Sequence, residues 1–368
     1  MPEPSEPFEP SEPPGRWGTA RPARRDVLRG AAAVGAFVGL DLAALLTAFN
    51  WIGPRRLTPQ AFLDGFAQAF GRQPGFRKNH AKGVAVAGYF DSNGNGRALS
   101  NAAVFAPGRS PVIGRFSLAG GNPHAVDASS TARGLGLVFG FPGPQQWRMA
   151  TLNLPVFLDN SPQGFYDRLI ASAVVPGTGK PDPTAMARFM AAHPETARAM
   201  KIVKQHPPTP GFADSVFSGL NAFYFVNDSG VRAPVRWSLT PLQQALPPSS
   251  GLNALFDPLV AQLRGGPLRW HLMLTVGAPS DPTRDATLPW PADRRTIDAG
   301  LLTLDSVATE SKGNARDINF DPMVLPPGIE PSDDPLLSAR SAVYAASYRR
   351  RTGETGSASA VQVDKVAL

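Results

Sequence analysis

Apolar positions along this chain come in three textures. From 30 to 52 they form a nearly unbroken Gly/Ala-rich run, with Asp41 its only charged residue. From 57 to 71 they recur at helical spacing, with Phe62, Phe66 and Phe70 on one face, Thr58 as N-cap and Pro59 at the first helical position. Beyond that they cluster in short runs at 84–90, 102–106, 112–118, 134–141, 148–152, 222–226, 235–239, 270–276 and 299–304. Runs of that length between turn formers predict strands, and their spacing predicts a large antiparallel sheet or barrel. The first two flank Asp91-Ser92-Asn93-Gly94-Asn95-Gly96, which reads as the turn joining them. Helical patches at 163–172, 184–192, 195–204, 252–265 and 336–349 complete an α+β chain without internal repeats, and 353–368 has the composition of a polar tail.

Ahead of the apolar run, residues 1–22 alternate prolines with Glu3, Glu6, Glu9 and Glu12. So little apolar area cannot offset the entropy of ordering, and disorder is the expectation. Arg24-Arg25, then Leu28 and the modestly apolar run, read together as a twin-arginine export signal over 23–53. Bulky residues at 46–51 leave no Ala-x-Ala cleavage site, so retention as an inner-membrane anchor is the alternative, and a buried helix after a chance Arg-Arg is the plainer one. Export places the domain in the periplasm. Twin-arginine transport of folded chains suits an enzyme that takes up its cofactor before leaving the cytoplasm.

The 368 residues suffice for one large domain or two ordinary ones. Net charge is +7, but acids and bases are interspersed and no Lys/Arg run with interleaved aromatics offers a nucleic-acid stripe. Zero cysteines excludes disulfide scaffolds, thiolate metal sites and cysteine nucleophiles, leaving oxygen and nitrogen as ligands. With 39 prolines and 36 glycines, turns are many and long helices few.

The 91–96 turn mimics the opening of a calcium loop, but Ala102 stands where a bidentate glutamate is needed. No G-x-S-x-G, H-E-x-x-H or phosphate-cradling loop occurs, and the five histidines are scattered. One stretch is more telling. Arg77-Lys78-Asn79-His80-Ala81-Lys82-Gly83 opens a strand and resembles the essential-histidine motif of haem catalases. Arg115-Phe116-Ser117, Pro155-Val156-Phe157, Asn319-Phe320-Asp321-Pro322 with the segment from Pro326 to Ser332, and Arg340-Ser341-Ala342-Val343-Tyr344 resemble later motifs of that family, in the same order. The resemblance covers about 60 to 352. The chain has no room for the long wrapping segment and helical C-terminal domain of full-size catalases, so it is similar to the short catalase-related peroxidases.

That resemblance implies a haem-binding domain over 57–352, built as an antiparallel β-barrel with peripheral helices. It implies haem b, with Tyr344 as the iron ligand in its anionic form and Arg340, one helical turn earlier, stabilising the negative oxygen. It implies His80 as the residue that moves a proton between the two peroxide oxygens, Ser117 as its hydrogen-bond partner, and Arg77, Arg115 and Arg351 as partners of the haem propionates. Phe157 and Phe165 would line the distal side. Two departures stand out. Leu152 occupies the position of the family's distal asparagine, with Asn153 one place later, and Asn79 replaces the usual valine before the histidine. A one-residue offset in a strand turns a side chain to the opposite face unless a bulge intervenes. The expected activity is reduction of hydrogen peroxide by a small organic electron donor, with weak dismutation. The alternatives are a slow catalase, a membrane-held haem carrier or sensor that needs Tyr344 but not His80, and a barrel without haem. Sequence gives no oligomeric state.

Overall fold

The computed structural model describes residues 57–366, apart from 141, 176, 357 and 358. The Pro/Glu-rich segment and the twin-arginine reading lie outside the described residues. Among those described, no helix is long and apolar enough to cross a membrane.

Eight strands follow one another around a closed barrel: β1 (Gly83–Ser92), β2 (Gly108–Leu118), β3 (Arg133–Phe139), β4 (Trp147–Leu152), β5 (Phe217–Val226), β6 (Arg232–Pro241), β7 (Leu268–Val276) and β8 (Thr296–Ala308). Each pairs antiparallel with the next, β8 returns to β1, and Leu152 opposite Ser218 joins β4 to β5. A short β9 (Ile329–Pro331) lies on the far half of β5. This bears out the expected α+β barrel. The interior of an eight-stranded barrel is just wide enough for side chains to fill it. Here Phe90, Phe116, Phe139, Trp147, Phe217, Phe225 and Trp270 do so, all fully buried.

The run 102–106 is not a strand. Pro107 halts it, and its backbone closes i to i+3 bonds, Phe105 N donating to Ala102 O (3.0 Å) and Ala106 N to Ala103 O (3.1 Å). The partner of β1 is instead β2, reached after this detour.

The helices are α1 (Pro59–Phe70), α2 (Pro162–Ala171), α3 (Pro183–Ala192), α4 (Pro194–Lys204), α5 (Phe256–Gly265) and α6 (Pro335–Thr352). Thr58, Ser161, Asp182 and Asp334 each cap a helix that begins with proline, satisfying an amide that has no partner inside the helix. Phe62, Phe66 and Leu169 form a second small core from α1 and α2, against which Phe165 and Val343 of α6 pack. The segment read as a polar tail is seated on the barrel. Val361 is fully buried, Val363 N donates to Thr309 Oγ1 (2.8 Å), and Arg264 donates to the carbonyls of Val363 and Val366. Its polar composition hid two inward-facing valines.

Candidate functional site

Register decides what β1 to β4 show on the outside of the barrel. Val84, Phe116, Leu135 and Met149 point into the core. Their neighbours point outward, and residues directly opposite on paired strands share a face. One outward row runs Gly83, Ser117, Gly134, Leu152, and the next runs Ala85, Arg115, Gly136, Ala150. Apart from Leu152, these rows alternate small residues with the polar Ser117 and Arg115. The glycines are required by close approach. A Cβ on Gly134 would lie 2.9 Å from Ser117 Oγ and 3.1 Å from His80 Nδ1, and one on Gly83 only 2.4 Å from the Arg115 guanidinium.

His80 enters from the loop before β1. Its φ of 56° makes it the one non-glycine residue with positive φ among those described, a conformation that costs free energy and persists only when surroundings impose it. Three contacts do so. Asn79 Oδ1 accepts from His80 N (3.0 Å) and also from Gly120 N (2.9 Å), Arg115 Nη1 donates to His80 O (2.8 Å), and the Nδ1 edge meets Ser117 Oγ at 3.1 Å. Burial, then the positive charges of Arg115, Arg340 and Arg77, lower the pKa of His80 to about 3, so the imidazole is neutral at ordinary pH.

The three arginines gather on one side. Arg115 forms a two-pronged pair with Glu310 (2.8 and 2.7 Å), while Arg77 and Arg351 both donate to the Ile318 carbonyl (2.8 and 3.4 Å). Burial, then repulsion from Arg115, presses the pKa of both Arg77 and Arg351 down. Burial pushes Glu310 up, but the surrounding guanidinium groups outweigh it and hold its carboxyl below the usual range. Three cations around one carboxylate leave a surplus of positive charge that calls for anionic groups. Phe320, under Arg77 at 5.5 Å, closes this side over Gly136.

Tyr344 lies midway along α6, half-buried, with Arg340 Nη2 3.4 Å from its hydroxyl. Sequence reasoning missed what holds that arginine. Arg340 Nη1 donates to Asn221 Oδ1, and Asn221 Nδ2 donates to Asp334 Oδ2 at 2.7 Å. Asn221 sits where the β5–β6 register shifts, and such a bulge re-aims a side chain. Burial lifts the Asp334 carboxyl above its ordinary pKa. The missed signal was a polar residue inside an apolar strand run. Glu310 was missed as well.

All nine expected residues therefore meet in one region. Phe157 stands under Arg340 (5.9 Å) and 6.4 Å from Phe165. Asn153 does not turn inward: its Oδ1 accepts from Arg133 N (2.7 Å) and its Nδ2 donates to Thr131 O (3.2 Å), closing the end of the β3–β4 ladder. Leu152, opposite Gly134, is the side chain on the His80 face. A face of mostly small residues, a surplus of buried guanidinium groups and a phenol beside a guanidinium fit a haem with its two carboxylates.

A family model described as Catalase matches residues 50–247 and 278–363. A protein named Catalase-related peroxidase from Synechococcus elongatus is 38% identical over 303 residues, covering 80% of this chain and 89% of its own length. Another of that name, from Mycolicibacterium paratuberculosis, is 31% identical over 304 residues, covering 81% and 96%. Among solved structures, catalase A from Saccharomyces cerevisiae aligns with a TM-score of 0.70 at 20% identity, over 82% of this chain and 66% of its own, a likeness of fold.

Proposed function

Since the chain belongs to the catalase family, we propose that it is a haem b peroxidase that reduces hydrogen peroxide with electrons from a small organic donor. The observation that carries this reading is the neutral His80 imidazole held on Ser117 at the same barrel face that Arg340, beside Tyr344, meets at the Ala150 carbonyl. Tyr344 would hold the iron, and Arg77, Arg115 and Arg351 the propionates. Haem, when bound, would supply the redox chemistry.

The protein's own part is proton handling and exclusion of water. With Nδ1–H donating to Ser117 Oγ, the Nε2 lone pair of His80 is free to take a proton from one peroxide oxygen and return it to the other, so that water leaves instead of hydroxide. Phe157, Phe165 and Leu152 keep the approach apolar. Leu152 brings no amide to that face, and Asn153 is committed elsewhere. A second peroxide therefore receives little help in being oxidised, which favours organic donors over dismutation.

Reconstitution with hemin tests the reading. The expected result is a Soret band that is lost or displaced in Tyr344→Phe, and a band retained with peroxide turnover abolished in His80→Ala. Unchanged turnover in His80→Ala refutes it. Oxygen evolution compared with dye peroxidation separates peroxidase from slow catalase. Export to the periplasm belongs to the same proposal and rests on Arg24-Arg25. Undiminished export of a doubly lysine-substituted chain would count against it.

A further inference from the structure

Next to the arginine cluster along the chain, α1, the loop after it and the end of α6 line a partly open cavity of about 160 Å³. We propose that this cavity binds the organic donor, and that it selects a single aromatic ring carrying an anionic group. The inference rests on the peroxidase reading above and adds the donor's chemical class and place.

Size comes first. An apolar cavity of about 150 Å³ is known to admit one benzene ring. The back wall here is apolar, made by buried Leu63 and Phe66 with Ala67. Charge comes second. Arg72, Lys78 and Arg350 line the cavity together with Glu354. Lys78 and Glu354 satisfy each other at 2.6 Å, and Glu354 also accepts from Gly75 N. The guanidinium groups are not satisfied in this way. Arg350 pairs loosely with Asp64 at 3.6 Å and Glu354 at 3.5 Å, beyond good hydrogen-bond geometry. Arg72 is exposed and makes no ion pair among the described residues. Two planar donor forks beside an apolar wall suit a carboxylate or sulfonate on an aromatic ring.

Position comes third. Lys78 and Arg350 are chain neighbours of Arg77 and Arg351, whose side chains turn away to Ile318. The cavity and the arginine cluster thus share the backbone at 77–78 and 350–351. The donor step balances as H2O2 + 2 ArOH → 2 H2O + 2 ArO•. Each phenol gives up one electron and its hydroxyl proton, and peroxide takes both electrons and both protons as its O–O bond breaks.

The test uses the hemin-loaded full chain with 4-hydroxybenzoate as the anionic donor and guaiacol as the neutral one. Ala67→Trp fills the cavity and Arg72→Ala removes an exposed fork, neither touching the proton-handling site. The expected result is calorimetric binding of 4-hydroxybenzoate to the unsubstituted protein, weakened about tenfold in either variant. KM for 4-hydroxybenzoate should rise in parallel and KM for peroxide stay unchanged. Arg72→Ala should leave guaiacol oxidation unaffected. Unaltered binding and KM in both variants overturn the proposal, as does equal loss of guaiacol and 4-hydroxybenzoate oxidation in Arg72→Ala. Displacement of 4-hydroxybenzoate by equimolar inorganic phosphate would reduce the cavity to an anion site and overturn the aromatic half. If no organic donor is oxidised at all, the peroxidase reading fails, while calorimetry still judges the cavity.

Discussion

Replacing Asn79 with leucine, nearly the same size but without an acceptor, should release the backbone that presents His80. The amide oxygen of Asn79 receives His80 N at 3.0 Å and Gly120 N at 2.9 Å. Neither amide makes another hydrogen bond among the described residues, so the substitution strands two donors. Each stranded donor costs about 1–3 kcal/mol when buried. The site is half-buried, so about 2–4 kcal/mol in total is the reasonable range. His80 already sits at a φ of 56°, which an L-residue adopts only under constraint. At about 1.4 kcal/mol per tenfold, the ratio of held to released backbone falls by roughly thirty- to a thousandfold. The Arg115 and Ser117 contacts remain, so haem uptake should survive. The assay is kcat/KM for hydrogen peroxide at fixed donor, alongside thermal unfolding and a hemin titration. Asn79→Leu should lower kcat/KM by about tenfold or more with the Soret band intact. Asn79→Asp, which keeps an acceptor oxygen, should recover most of it. A leucine variant as fast as the parent, or an aspartate variant no better than leucine, would refute the idea that this side chain positions the histidine.

Three further outcomes follow from the same geometry. Peroxide reduction should stay level from about pH 8 to pH 5 with no inflection near 6.5, because the folded-state pKa of His80 is lowered to about 3. The same depression makes its contribution to stability complete above the unfolded value near 6.5 and lost as pH falls towards 3, which acid titration of the folded chain would register. Gly134→Ala should destabilise the fold by about 1–3 kcal/mol and slow turnover, since its Cβ would lie 2.9 Å from Ser117 Oγ and 3.1 Å from His80 Nδ1; calorimetry beside a rate measurement checks both. Glu310→Gln removes the carboxylate that pairs with Arg115, so it should lower the melting temperature of the haem-free protein more than that of the hemin-loaded one. Equal shifts would argue against anion demand in the cluster.

Much of this was legible in the chain because the signals were local. Thr58-Pro59 and Asp334-Pro335 mark helix starts by pairing a cap with a residue that needs no donor, and the structure starts both helices there. The apolar runs at 112–118 and 148–152 gave strands whose alternation set the site's face. The failures share a cause. The run at 102–106 is apolar enough for a strand, but five residues cannot reveal whether a partner exists to receive their hydrogen bonds. Asn221 and Glu310 act through partners 119 and 195 positions away, and neither spacing nor composition reports such pairs. The offset of Asn153 was readable as a change of face, while its new partners at the barrel's edge were not.

The order of strands has a temporal consequence. From β1 to β7 every strand pairs with the next strand made, a local search except from β4 to β5, where α2, α3 and α4 intervene. β8 must reach back to β1 and the short β9 to β5, and Arg340, Tyr344 and Arg351 emerge later still. A ribosome-bound chain thus carries an open, curled sheet with His80 already made long before α6 follows. Closure of the barrel is forced towards the end of synthesis, and any factor that shields the waiting edge of β1 has the whole of that interval in which to act.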